Sequence, residues 1–321
     1  MRTIPSSAQS HLTTQRRESQ EALSAIKRQW RRMGPDFDAS WELIVGPIVG
    51  ITSTAQRRIA EDSIEYIPTV LDEMGYQQRI DRTATANPEA FVGVTGAGVA
   101  VGSAFHAAVA RSKIAIDRGY TIPQALHTGE DLLMRRASLA LSDTGRLSER
   151  VALAPAKITY YERALSLPSC SRCVILAGRL YRMEQAFERH PRCDCRHLPV
   201  GEKAEHEETD PMVLFESMTE AEQDRTFTKA GAEAIRNGAD MNQVVNAHRG
   251  MYTSRIGRGG RKWKFTREGT SRRGYYGSQF RNPRYMPQEK VRRRLMPEEI
   301  QRIADGKADY LRMLRLYGYI I

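Results

Sequence analysis

Apolar side chains recur every three or four residues at Trp41, Ile44, Ile48, Ile51, Ala55 and Ile59, the period of a helix with one buried face. Asp38, with Ser40 beside it, is the expected N-cap, and Pro47 and Pro68 are expected to kink or divide the segment. The same period returns in SAFHAAVARSKIAIDRGY and IPQALHTGEDLLMRRASLALSD, with Gly119 ending the first. Residues 1 to about 160 therefore read as mostly helical, interrupted by a glycine-rich loop in RIDRTATANPEAFVGVTGAGVAVGS.

From Leu167 the pattern changes to short apolar runs between turn residues. KITYYERALSLPSC suits a short helix or strand, and CVILAGRLYR suits a hairpin turning at Ala177 and Gly178. GEKAEHEETD reads as an exposed acidic linker. MTEAEQDRTFTKAGAEAIRNGAD then reads as helix, with Thr219 and Glu222 as a capping box and Gly238 as the stop. A last helix is expected to begin at Pro297. No internal repeat is visible.

Length and charge sharpen this picture. A chain of 321 residues can bury a substantial core. The N-terminus is polar and charged rather than leader-like, and no apolar run approaches the ~18 residues of a membrane span, so the expectation is a soluble chain made in a reducing cytoplasm, without a membrane partner. The net charge of +11 is concentrated between Met251 and Arg294, where fourteen basic residues face only Glu268 and Glu289. Basicity is thus local and favours a polyanionic partner.

All four cysteines fall in CSRCVILAGRLYRMEQAFERHPRCDCRHLPV. Cys170 and Cys173 have the spacing with which two thiolates in a turn can reach one tetrahedral zinc ion, and nineteen residues separate Cys173 from Cys193. Cys193 and Cys195 form the second half, with His190 or His197 as substitutes for one of them. The alternatives are reduced thiols packed in a small core, or a disulfide or redox role.

The same residues resemble the signature of the Mu F-like minor head proteins of tailed bacteriophages. The matching positions are Cys170, Cys173, Gly178, His190, Pro191, Cys193, Cys195 and Pro199. GAEAIRNGADMNQVVNAHRGM, EGTSRRG and the terminal LYGYI are similar to the form found in phages of actinobacterial hosts. Together these passages cover roughly the second half of the chain.

The resemblance implies a minor capsid protein, present in few copies in the virion, at the head interior or portal vertex. It would associate during head assembly with the portal protein, with the major capsid or scaffold protein, and with packaged double-stranded DNA. Some relatives are capsid maturation proteases, which gives the first alternative. A zinc-dependent nucleic-acid-binding or nuclease module is the second. The expected fold is α+β and predominantly helical. It has a helical portal- or capsid-binding region over 1–160, a small α+β Mu F-like module over 161–250, and a basic region with a terminal helix over 251–321.

In the basic region, Arg258, Arg261, Lys262, Lys264, Arg272, Arg273, Arg292, Arg293 and Arg294 are the candidate nucleic-acid contacts. Trp263, Phe265, Tyr275, Tyr276, Phe280 and Tyr285 are interleaved with them, a composition that suits phosphate contact and base stacking without sequence reading. A solvated surface, or docking on an acidic capsid protein, is the competing use.

Enzyme signatures do not complete. Gly96 and Gly98 lack the lysine of a phosphate loop, His206 lacks a second histidine four residues on, and no Gly-x-Ser-x-Gly occurs. His11, His106, His127 and His248 are expected to be surface or packing residues.

Overall fold

The computed structural model describes residues 4–76, 86–156, 158–165, 167–185, 193, 195–201, 210–256, 260–271, 274–278 and 293–321. The fold is predominantly helical α+β, and the chain divides into two compact units: residues 1–167 with 177–209, and residues 168–176 with 210–321. This differs from the three-part expectation. The sheet strand that carries the end of the cysteine motif belongs with the N-terminal helices, because polar side chains from those helices bond to it. No helix among the described residues is long and apolar enough to cross a membrane.

In the first unit, α1 (Ser6–Trp30), α2 (Phe37–Glu73), α3 (Val101–Asp117) and α4 (Ile122–Leu153) pack around Trp30, Trp41, Ile44, Ile48, Phe105, Val109 and Leu133. Asp36, not Asp38, caps α2 by accepting from Ala39 N at 3.0 Å, while Asp38 pairs with Lys113. Ser40 accepts from Gly34 N. Neither Pro47 nor Pro68 divides α2. The burial that runs from Ile44 and Ile48 to Ile67, Val70 and Leu71 outweighs the backbone bond each proline removes.

The glycine-rich segment is a pinned turn rather than a bare loop. Gln56 donates to Val94 O and Thr144 Oγ1 and accepts from Gly93 N, tying the turn to α2 and α4. Gly119 ends α3 at φ 82°, and Gln124 caps α4 by accepting from Thr121 N.

β1 (Tyr160–Ala164) is the centre of an antiparallel sheet. Before its partners come Cys170 and α5 (Ser171–Val174), so Val174 belongs to a helical turn and not to the first strand of a hairpin. Burial of Cys173 and Val174 on the same helical turn replaces the expected strand pairing. β2 (Leu180–Arg182) and β3 (Arg196–Val200) flank β1, with Tyr161 opposite both Tyr181 and Pro199. Pro199, which has no N–H, is tolerated because β3 is an edge strand. Gly178 adopts φ 68° and donates to Arg163 O, making the turn into β2.

The second unit continues through α6 (Pro211–Ser217), α7 (Glu220–Phe227), α8 (Lys229–Arg236) and α9 (Met241–Ala247). The expected single helix after Thr219 is broken at Thr228, which takes φ 65° and caps α8 through Gly231 N. Thr219 and Glu222 form the capping box, and Gly238 stops α8 at φ 89°.

β4 (Met251–Ile256) and β5 (Arg261–Thr266) form a ribbon, followed by the short α10 (Tyr275–Ser278), and β6 (Arg294–Leu295) joins β5. α11 (Pro297–Ile303) begins at Pro297, and α12 (Gly306–Leu316) closes the chain. Phe215, Phe227, Ile235, Val244, Phe265, Ile300 and Leu314 are buried in this unit.

Candidate metal centre and its buried polar support

Every residue of β3 is buried, including Arg196 and His197. A strand with two buried polar side chains is stable only if those groups find partners. The partners come from three helices. His197 Nδ1 lies 2.6 Å from Glu149 Oε2 on α4, and the same oxygen accepts the His197 backbone N–H at 2.9 Å. Arg196 donates to Gln15 Oε1 of α1 at 3.2 Å and lies 3.3 Å from Glu149 Oε1. Tyr66 of α2 donates its hydroxyl to His197 O at 3.0 Å.

His11 completes the arrangement. Its Nδ1 is 2.6 Å from Asp62 Oδ2 and its Nε2 is 2.9 Å from Glu149 Oε1. Both ring nitrogens therefore face carboxylate oxygens, which accept and do not donate, so the imidazolium is the form that satisfies both. The ring stacks on Tyr66 with centroids 4.0 Å apart.

Burial pulls the His11 pKa down, and the hydrogen bonds and charges of Asp62 and Glu149 outweigh it, so the net shift is upward. Burial pushes the Glu149 carboxyl up, but bonds from His11 and His197 hold it well below the usual carboxylate range. For His197 burial wins and its pKa falls, which leaves a neutral ring donating through Nδ1. Tyr66, wholly buried, is pushed well above its ordinary value by desolvation.

Arg146, one turn before Glu149 on α4, donates to the backbone oxygens of Cys193 and Cys195 and pairs with Asp143 at 3.4 Å. A guanidinium is thus fixed beside the Cys-x-Cys pair. Close approach of backbone is needed here: a Cβ at Gly145 would stand 2.6 Å from Gln15 Oε1 and 3.2 Å from Arg196 Nε.

Cys193 and Cys195 are buried, with sulfurs 3.4 Å apart. Cys173 belongs to the second unit, and Cys193 and Cys195, both of the first, offer two adjacent sulfur donors to a metal ion. Once deprotonated, this buried pair beside the Arg146 guanidinium would suit a soft divalent ion. None of the cysteines is in a disulfide.

Cys170 is half-buried at the N-cap of α5, in the second unit, and its backbone oxygen accepts from Cys173 N and Val174 N. His197, the expected substitute ligand, bonds Glu149 through Nδ1. His190 and Pro191 lie outside the described residues.

The basic region is also redistributed. Arg261, Lys262 and Lys264 are exposed on β5, whereas Arg294 is fully buried and unavailable to phosphate. Its guanidinium donates to Tyr317 O, Glu268 O, Gly318 O and Gln243 Oε1, and stacks 4.1 Å from the Tyr319 ring. It occupies the carbonyl end of α12, where a helix leaves oxygens without partners. Arg293 lies over Phe265, and Arg302 over Trp263 at 4.8 Å. With Phe265 and Tyr276 buried, these rings serve the fold rather than base stacking. Arg258, Arg272, Arg273, Arg292, Phe280, Tyr285 and His206, and the side chain of Tyr275, lie outside the described residues.

No family model, curated protein or solved structure matches this chain.

His11, Asp62, Tyr66, Arg146 and Glu149 were not singled out by motif spacing. One signal does point to Glu149: Leu133, Ala137, Leu141, Gly145, Glu149 and Leu153 repeat every four residues, which puts a carboxylate in the buried stripe of α4.

Proposed function

We propose that this chain is a minor head protein of a tailed bacteriophage, acting by assembly with the portal rather than by turnover. The reading rests on the resemblance of Cys170–Val200 to the Mu F-like signature. The observation that carries it further is that Arg196 and His197 are buried and spent on Glu149, Gln15 and Tyr66. A motif whose polar groups hold a strand against a helical bundle supports a scaffold more than a reactive centre.

In this role the helical unit supplies docking faces, and the buried network fixes their relation to the motif strand. We assign zinc to the Cys193 and Cys195 sulfurs, since thiolates favour it and Arg146 offsets part of their charge. The ion would stabilise the motif segment and has no part in turnover.

Co-expression of the full chain with the portal protein of the same phage tests the reading. A joint gel-filtration peak at low salt is expected, together with a few copies per virion by quantitative mass spectrometry. Two separate peaks, or trimming of capsid protein on incubation with procapsids, overturn it, the latter in favour of a maturation protease.

A further inference from the structure

The β4–β5 ribbon has two unlike faces. Its register sets Arg255 opposite Lys262 and Thr253 opposite Lys264, while Ser254 faces Trp263 and Tyr252 faces Phe265. Because side chains alternate along a strand, Arg255, Lys262, Lys264 and Thr253 share one face and the aromatic residues share the other. Exposure follows the same alternation: Thr253, Arg255, Lys262 and Lys264 are exposed, Tyr252, Ser254 and Trp263 are half-buried, and Phe265 is buried. Among the described residues β6 pairs with Phe265 and Thr266, and the part of the ribbon around Arg255 and Lys262 extends beyond that pairing.

Three cations on one flat face repel one another and cost stability unless a partner or solvent compensates. Among the described residues no carboxylate pairs with Arg255, Lys262 or Lys264. Glu299, which accepts the Lys264 backbone N–H, spends its charge on Arg302. Lys262 and Lys264 stand about 7 Å apart, two residues along an extended strand, and Arg255 lies about 5 Å across from Lys262.

We propose that this outward face binds the phosphate backbone of double-stranded nucleic acid without reading its sequence. A two-stranded ribbon is a shape that a duplex groove accommodates, and lysine and arginine at strand spacing contact phosphates without base-edge geometry. Single strands are a poorer fit, because stacking needs aromatic rings and those of the ribbon are turned inward under Arg302, Arg293 and Arg267. An acidic protein partner is also a poorer fit. Protein interfaces draw on aromatic anchors and are depleted in lysine, whereas on this face Met251 is the large apolar side chain exposed. The inference stands apart from the assembly reading, since portal association can fail with duplex binding intact, and the reverse.

The test uses the full chain and a mixed-sequence duplex, with anisotropy read across salt concentrations. The triple variant Arg255→Gln, Lys262→Gln, Lys264→Gln should flatten the slope of log affinity against log salt by about 2.7, at about 0.9 for each phosphate that is no longer neutralised. The control triple Arg225→Gln, Lys229→Gln, Lys307→Gln removes the same charge from exposed positions on α7, α8 and α12 and should leave the slope nearly unchanged. Equal effects of the two triples overturn the proposal, as does a chain that binds no duplex at low salt. Competition by polyglutamate as effective as by duplex of equal charge overturns it in favour of an acidic protein. If the ribbon triple does not fold, Lys262→Glu alone must weaken duplex binding while Lys307→Glu does not.

Discussion

His11 and Glu149 lie 138 positions apart in the chain and 2.9 Å apart in the folded protein. That contact ties the first helix to the fourth, and through Glu149 Oε2 it reaches the backbone and ring of His197. Glu149→Gln should destabilise the protein by about 3–5 kcal/mol, because it leaves His11 and Arg196 buried without their shared counter-charge. Urea denaturation measures this. A double variant with His11→Gln should cost clearly less than the sum of the two single changes, since both remove one interaction.

The charge state of His11 makes the first unit sensitive to pH. Its pKa is raised in the folded state from 6.5, so its contribution is fully present below pH 6.5 and is lost as pH rises through the folded value. Groups facing it are Asp62 and Glu149, with Arg196 beside the latter. The stability difference between the natural chain and His11→Gln should therefore be largest at pH 6 and shrink steadily toward alkaline pH. A difference that grows above pH 7 would contradict the imidazolium assignment.

Gly145→Ala should weaken the same network from its backbone side. The added methyl group meets Gln15 Oε1 and the Arg196 guanidinium, both of which are bonded and enclosed. A loss of about 1–3 kcal/mol is expected, against the modest gain that alanine normally gives inside a helix. Thermal denaturation with circular dichroism reads the sign.

Metal content tests the Cys193 and Cys195 pair. Cys193→Ser and Cys195→Ser should each lower the zinc bound per chain by elemental analysis. Unchanged zinc in both variants would remove the assignment.

Arg294 provides a contrast with the ribbon cations. Arg294→Gln removes the donor shared by three backbone oxygens and Gln243, and should cost the second unit about 3 kcal/mol. Arg294→Lys should rescue little, because a compact ammonium cannot span acceptors arranged for a planar fork. Neither change should alter the salt dependence of duplex binding per folded molecule.

The periodic apolar stripes determined the helices, and local turn chemistry determined several of their ends. Trp41 to Ile59 lies on α2, Thr219 and Glu222 cap α7, Gly119 and Gly238 stop their helices, and Pro297 opens α11. These features depend on residues within a few positions of one another, so the sequence states them directly. The adjacency of Cys193 and Cys195 was legible too.

Only the tertiary structure decided the rest. Pro47 and Pro68 stay inside one helix because burial on both sides of them outweighs two missing bonds. Arg294 leaves the basic surface because the carbonyl end of α12 needs its guanidinium. His11, Asp62, Glu149 and His197 meet across four elements, and partners so far apart in the chain have no spacing to read. Burial turns such residues from ordinary polar positions into one coupled site, and burial is a property of the packed chain.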